Sequence, residues 1–361
     1  MFYYLSQFRD IFFGFNIFRY ITFRAGMAAV TTFLLCIIFA PFFIKQLKRW
    51  KIREVSRRKH CSNLEKFQKS KEGTPTMGGL FIIGSILISV FLWADLSNRY
   101  ILLTIITAVW LAILGFVDDY VKLTIRSKRG ISSHTKIIWQ IILGFFIGTY
   151  VYFNPDTSTQ LSLPFLKNTV LTLGVFYIPF VALVLIGSSN AVNLTDGLDG
   201  LAIGCVLIVS ITLGMLSYIT GHIVMSEYLF IPFVSGAGEL SVFCAAIMGA
   251  SLGFLWFNCY PATVFMGDVG SLSLGGTLGV IAVMIKKELL LVIIGGIFVI
   301  EALSVIIQVT SFKLRGKRVF KMAPLHHHLQ LSGWKESRII IRFWIIAIIL
   351  AMVALTTLKI R

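Results

Sequence analysis

No two of the five cysteines form a Cys-x-x-Cys pair; Cys36, Cys61, Cys205, Cys244 and Cys259 are scattered, mostly within apolar runs. That spacing speaks against a thiolate metal site and against a disulfide framework. The N-terminus lacks a cleavable-signal pattern, and no internal repeat is visible. The one Gly/Thr-rich loop, 71–79, has no Gly-Lys-Ser/Thr helix start and is therefore not a Walker A loop. Acidic residues are scarce, 16 against 33 Lys and Arg, for a net charge of +17. In a soluble chain that excess would suggest nucleic acid. Here 57% of residues are hydrophobic, the mean hydropathy is +0.86, and a soluble domain is nearer about 45–50% apolar. The charge is therefore read as loops facing the cytoplasm and anionic lipid head groups, with no nucleic-acid partner.

Apolar runs long enough to cross the hydrocarbon core recur ten times, at 23–44, 77–94, 100–117, 137–153, 169–187, 200–219, 240–257, 272–285, 289–312 and 339–358. The eighth is short and Gly-rich and is expected to be tilted or broken. Residues 1–22 are aromatic-rich with interspersed charges and read as an interfacial segment. The expected fold is all-α: one polytopic transmembrane domain of about ten helices. Loops 45–76, 118–136, 188–199, 258–271 and 313–338 hold 23 of the 33 Lys and Arg. The positive-inside rule places them in the cytoplasm and both termini in the periplasm. Gly249-x-x-x-Gly253 fits a close helix contact and is weak support for a dimer.

The same loops carry Asp118, Asp119, Asp196, Asp199 and Asp268, five of the eight aspartates, as well as His326, His327 and His328. Loops 188–199 and 258–271 contain no Lys or Arg. Oxygen ligands without cationic side chains nearby suit a hard divalent ion.

The stretch Asn190–Gly200 sets Asn190, Asn193, Asp196 and Asp199 three apart, so that consecutive members share adjoining parts of a helix surface. Gly197 and Gly200 leave room for a bulky ligand beside the carboxylates. An ionised group facing the bilayer centre costs about 2.5–3.5 kcal/mol, so four polar groups here imply a use; the alternative is a solvated loop. Asp118-Asp119 ends the third run, its side chains about 100° apart on a helix. One could hold Mg²⁺ while the other acts as nucleophile or base, or both could simply solvate a helix end. Asp268 lies between Gly267 and Gly270 near Phe265, whose ring could stack on a base or lie in the core. The three histidines follow a basic run, Lys313 to Lys321. Imidazoles alone would suggest zinc; the surplus of aspartates favours magnesium and leaves the histidines to bind phosphate or donate hydrogen bonds. In 71–79, Lys71, Thr76 and backbone amides could cradle an anion, and Lys122 and Lys136 add cations near the aspartate pair. These parts suggest phosphoryl transfer from a soluble nucleotide-activated donor to a lipid acceptor. A solute transporter would instead line its acids across the midplane.

At Lys71-Glu-Gly-Thr-Pro-Thr-Met-Gly-Gly79, Asp118-Asp119, Asn190–Gly200, Phe265-Met-Gly-Asp268 and Ala323-Pro-Leu-His-His-His328 the chain closely resembles the bacterial phospho-N-acetylmuramoyl-pentapeptide-transferases. That family lies within the polyprenyl-phosphate N-acetylhexosamine-1-phosphate transferases (glycosyltransferase family 4). The triple histidine and the Gly-Thr-Pro-Thr-Met-Gly-Gly loop resemble the muramoyl-pentapeptide branch. The resemblance implies Mg²⁺-dependent transfer of phospho-MurNAc-pentapeptide from UDP-MurNAc-pentapeptide to undecaprenyl phosphate, giving lipid I and UMP at the inner face of the bacterial inner membrane. It also implies a dimer. By the same similarity Asp268 is the expected Mg²⁺ ligand, and Asp118 and Asp119 serve catalysis and the acceptor phosphate. Lys71, Asn258, Phe265 and Asp199 would hold the uridine end with Asn193 and Asp196 nearby, while Gln308, His326 and His327 would bind donor groups.

Overall fold

The computed structural model describes residues 1–50, 73–124, 130–154, 159–163 and 170–359. The protein is an all-α polytopic membrane protein. Its helices are α1 (Ile21–Arg49), α2 (Gly79–Trp93), α3 (Arg99–Thr124), α4 (Ser133–Phe153), α5 (Tyr177–Thr195), α6 (Leu201–Thr220), α7 (Ile223–Tyr228) and α8 (Leu240–Asn258). They are followed by α9 (Gly267–Met284), α10 (Glu288–Ile294), α11 (Gly296–Arg315), α12 (Leu325–Leu331) and α13 (Glu336–Thr356). Among the described residues, nine helices have the length and composition to cross a membrane. Each of the ten apolar runs has its helix; α2, the second, is shorter, with 15 residues. At 1.5 Å per residue it rises about 22 Å, less than the core of about 30 Å. Leu34, Ile38 and Phe42 on α1, and Ile138 and Ile142 on α4, are exposed, as expected where hydrocarbon is the solvent and outward faces need no polar cover.

The organising element is α9. Every residue from Val269 to Met284 is buried, and the helix packs between α3 and α5 with α2 and α6 beside it. The expectation of a broken eighth run is corrected: α9 is one continuous helix. Its glycines are used for contact, since a Cβ on Gly275 would lie 2.6 Å from Ser188 O on α5. In lipid the intrahelical bond is the only partner for such backbone groups. The break falls instead in the ninth run, at Gly295 between α10 and α11. A second correction concerns Gly249 and Gly253. Both face α1, against Ala29 and Cys36, so the pair is spent inside one chain and offers no support for a dimer.

Helix α5 runs to Thr195, so Asn190 and Asn193 are helical; Asp118 and Asp119 lie within α3, and Asp268 opens α9. All the acids of interest, with the start of α4, lie at one end of the bundle. The N-terminal segment forms two short 3₁₀ turns, Phe2–Phe8 and Phe13–Arg19. A two-stranded hairpin, β1 (Gln160–Ser162) against β2 (Val170–Thr172), is the only sheet among the described residues.

The opposite end is fastened by buried ions. Arg24 donates to both Glu239 oxygens, at 2.7 and 2.5 Å, and to Trp93 O at 3.2 Å. Removing one member of a buried pair costs about 3–5 kcal/mol because the other charge is stranded. Arg24→Ala is therefore expected to lower the thermal unfolding temperature by many degrees, and an unchanged melting curve in detergent would contradict the contact.

Candidate active site

Gly115 is where the site begins. A Cβ there would stand 2.6 Å from Val269 Cα, so its absence lets α3 press against the first turn of α9. Three and four residues later come Asp118 and Asp119, beside Asp268. One oxygen from each of the three carboxylates lies within 4.8 Å of the others. Asp118 is fully buried and Asp119 nearly so. Gly115→Val is expected to wedge α3 from α9, cost about 1–3 kcal/mol of stability and remove activity; a fully active, equally stable variant would mean that the contact is slack.

Two lysines neutralise the cluster. Lys122 Nζ is 2.5 Å from Asp118 Oδ2, 3.0 Å from Asp268 Oδ2 and 3.5 Å from Asp119 Oδ1. Lys136 Nζ, from the first turn of α4, is 2.7 Å from Asp118 Oδ2 and 2.8 Å from Asp268 Oδ2. The Asp268 loop has no cation of its own, so its counter-charge comes from α3 and α4. Asp118 Oδ1 accepts from Ile131 N–H at 2.8 Å, and Asp119 Oδ2 from Val269 N–H at 3.4 Å. Asn193 donates to Asp268 Oδ1 at 3.0 Å and to Ser271 Oγ at 2.8 Å. A compact set of hard oxygen donors from two helices, already attracting cationic nitrogens, fits a divalent ion such as Mg²⁺.

Around this centre the stretch Asn190–Gly200 is a hub. Asn190 donates to Gln140 Oε1 and to Ile186 O, both at 2.8 Å. The space beside Gly197 is filled by the His326 ring, whose Cε1 would lie 2.9 Å from a Cβ there. The expectation that Gly197 leaves room for ligand is therefore corrected: a side chain of the protein occupies it. Gly200, at φ +81°, takes a left-handed backbone and gives its N–H to Asn258 Oδ1 at 2.9 Å. Asp199 Oδ2 accepts from Ala262 N–H at 3.0 Å, and its own N–H donates to Glu336 Oε1 at 3.0 Å. Asp196 stands half-buried at the C-terminus of α5.

The remaining expected residues divide in two. Thr76 lies beside Gly267, and Phe265 is half-buried with its N–H on Pro75 O. The Gly78 and Gly79 amides donate to Phe265 O and Met266 O, both at 2.8 Å. They dock the Gly/Thr-rich loop on the Asp268 loop and are not free to cradle an anion, as the sequence had suggested. Lys71 lies outside the described residues. Asn258 also donates to Val264 O at 2.8 Å. Gln308 accepts from Val319 and Phe320 N–H at 3.0 and 2.9 Å, and His328 Nδ1 accepts from Lys321 N–H at 3.0 Å. Asn258, Gln308 and His328 thus brace the loops around the site. His327 Nδ1 is 2.9 Å from Gln330 Oε1.

Sequence reasoning missed two residues. Glu301, fully buried on α11, has Oε2 3.2 Å from His326 Nδ1 and accepts the His326 backbone N–H at Oε1. Gln140, fully buried on α4, accepts from Asn190. Each is a strongly polar residue inside an apolar run, which is the signal that finds such groups in membrane helices.

A multi-pass membrane bundle with a carboxylate–lysine centre at one end of its innermost helix is the arrangement of a membrane-embedded enzyme. Residues 101–286 match the family model of glycosyl transferase family 4, and residues 71–83 match phospho-N-acetylmuramoyl-pentapeptide-transferase signature 1. The phospho-N-acetylmuramoyl-pentapeptide-transferase of Pelobacter propionicus is 54% identical over 347 residues, 96% of each chain. Those of Desulforapulum autotrophicum and Thermodesulfovibrio yellowstonii are each 50% identical, over 100% and 99% of both chains. The chain belongs to the phospho-N-acetylmuramoyl-pentapeptide-transferases, enzymes of peptidoglycan synthesis.

Proposed function

We propose that this protein transfers phospho-MurNAc-pentapeptide from UDP-MurNAc-pentapeptide to undecaprenyl phosphate, giving lipid I and UMP, with Mg²⁺, at the cytoplasmic face of the bacterial inner membrane and as a homodimer. The observation that carries the reading is the meeting of Asp118, Asp119 and Asp268 with two lysines at one end of the bundle. It suits a diphosphate far better than a solute path, for which acids would be spread across the midplane. The charge asymmetry of the loops supports the cytoplasmic face.

Asp268, with Asp118 and Asp119, would hold Mg²⁺. When bound there, the ion would neutralise the donor diphosphate and make UMP a better leaving group. Lys122 and Lys136 orient and screen the phosphates. Asn193 holds Asp268 in place through its Oδ1. We favour direct attack by the lipid phosphate. A phosphate monoester loses its second proton near pH 6, so the acceptor is already a nucleophilic dianion at pH 7. Asp118 Oδ1 accepts from Ile131 N–H and Oδ2 faces both lysines, so its service as a base requires a lysine to move aside. Trapping of phosphosugar on the protein without lipid acceptor would refute direct attack.

Phe265 and Asp196 would meet the uridine end, Thr76 and His327 other donor groups, with Asp199, Asn258, Gln308 and His328 bracing the loops that carry them. Phe265→Ala is expected to weaken binding of nucleoside-containing inhibitors about tenfold while lipid-acceptor KM changes less than twofold; equal effects on both would argue against stacking. The activity is tested by UMP release from purified protein with undecaprenyl phosphate, Mg²⁺ and a panel of UDP-sugars. Turnover with UDP-MurNAc-pentapeptide alone is expected. Preference for UDP-N-acetylglucosamine would move the chain to another branch, and solute uptake into vesicles without UMP release would make it a transporter.

A further inference from the structure

Most of α4 faces outward: Ile137, Ile138, Trp139, Ile141 and Ile142 are all exposed. Gln140 alone in that turn is buried, with no accessible surface. A buried amide in this setting must be bonded, and both of its ends are. Its Oε1 accepts from Asn190 at 2.8 Å, and its Nε2 donates to Ser189 Oγ at 3.2 Å. The Ser189 hydroxyl in turn donates to Leu272 O at 3.0 Å. Gln140 therefore ties α4 to α5 directly and to α9 through Ser189.

The register of this layer matters. Gln140 lies four residues after Lys136, Leu272 four after Asp268, and Asn190 three before Asn193. One helical turn above the Gln140 layer is the layer in which Lys136 meets Asp118 and Asp268 and Asn193 meets Asp268. Deeper along α4, the contact with α5 is made by small groups: Cβ atoms on Gly144 and Gly148 would lie 2.5 Å from Ala182 Cα and 3.0 Å from Ile178 Cα. Such surfaces bring the helices close, and the two-ended amide adds directional bonds at one fixed height along α4.

We propose that Gln140 is a positioning residue for the transfer reaction: it sets the axial and rotational register of α4 so that the Lys136 ammonium stands between Asp118 and Asp268. The proposal rests on the reading of the carboxylate–lysine centre as the active site. It assigns Gln140 no contact with substrate.

The test is a double-mutant cycle in UMP release, with kcat and donor KM measured separately and folding checked by thermal unfolding in detergent. Gln140→Leu keeps the bulk and loses both bonds. It is expected to lower kcat 10- to 100-fold, the size of effect that a misplacement of about 1 Å produces, with donor KM within threefold. In a Lys136→Met background the same change is expected to cost less than twofold, because the residue that it positions is gone. If Gln140→Leu does not fold, Ser189→Ala, which removes the Gln140 Nε2 bond and the link to Leu272 while leaving the Asn190 bond in place, is read in the same cycle and is expected to show the same non-additivity. Wild-type kcat in Gln140→Leu, or an undiminished loss in the Lys136→Met background, would overturn the proposal. If Lys136→Met itself has normal kcat, the reading of the centre as the active site fails, a result distinct from failure of the positioning role alone.

Discussion

Asp268→Asn is expected to reduce turnover by at least about a thousandfold while leaving the protein folded. Asparagine keeps the shape and one acceptor oxygen, so the Asn193 bond at 3.0 Å survives and α9, enclosed along its length, has no reason to move. What changes is charge. The centre goes from three carboxylates facing two ammonium groups to two facing two, and its attraction for a further cation falls. Lys122 and Lys136, at 3.0 and 2.8 Å, lose one of the two anions they share and are left with Asp118 Oδ2 between them. Loss of a single preorganised electrostatic group costs about 10²–10³ in rate, and here the cation and the lysine placement are lost together. The measurement is UMP release alongside thermal unfolding in detergent. Near-normal turnover would remove Asp268 from the reaction; an unfolded protein would instead make it a packing residue.

His326→Ala is expected to lower kcat by two or more orders of magnitude, and the structure gives a specific reason. The ring is almost fully buried, wedged against Gly197, with Nδ1 3.2 Å from the Glu301 carboxylate. Truncation leaves a void behind the Asn190–Gly200 hub, and a cavity of this kind typically costs several kcal/mol. It also removes the ring that stands 3.2 Å from the buried Glu301 carboxylate. The hub carries Asn193 to Asp268, so loosening it disturbs the reacting centre even if the imidazole touches no substrate. Glu301→Gln distinguishes the two contributions. It retains packing and removes the charge beside the ring. A large loss of kcat with an unchanged unfolding temperature would point to the orientation of the imidazole, whereas a mild effect in both variants would demote the pair to structural support.

The apolar runs were legible because each needs about 20 residues to cross the core, and no soluble alternative tolerates so many. The polar centre was legible because Asp118, Asp119, Asn193 and Asp268 stand near the ends of apolar runs, and polar groups at such positions are costly without a use. Their partners were legible only in part, with Lys122 and Lys136 placed near the aspartate pair. That Lys136 reaches across to Asp268, or that Glu301 lies under His326, depends on contacts between residues far apart in sequence, and no local pattern encodes them. Gly197 was misread for the same reason: a glycine signals close approach but does not name what approaches. The continuity of α9 and the break at Gly295 reversed the expectation from glycine content, because a glycine pressed against a neighbouring helix has no freedom to bend. Asn258, Gln308 and His328 look alike in sequence as free polar groups, and only the fold reveals that backbone amides claim them.

The central claim is that three aspartates from two distant segments form one divalent-cation site. Electron paramagnetic resonance of Mn²⁺ titrated into the purified, detergent-solubilised protein in the presence of UDP measures it directly. The account predicts one tightly bound Mn²⁺ per chain, lost in Asp268→Asn and weakened in Asp118→Asn and Asp119→Asn. Undiminished Mn²⁺ binding in the Asp268 variant would contradict it.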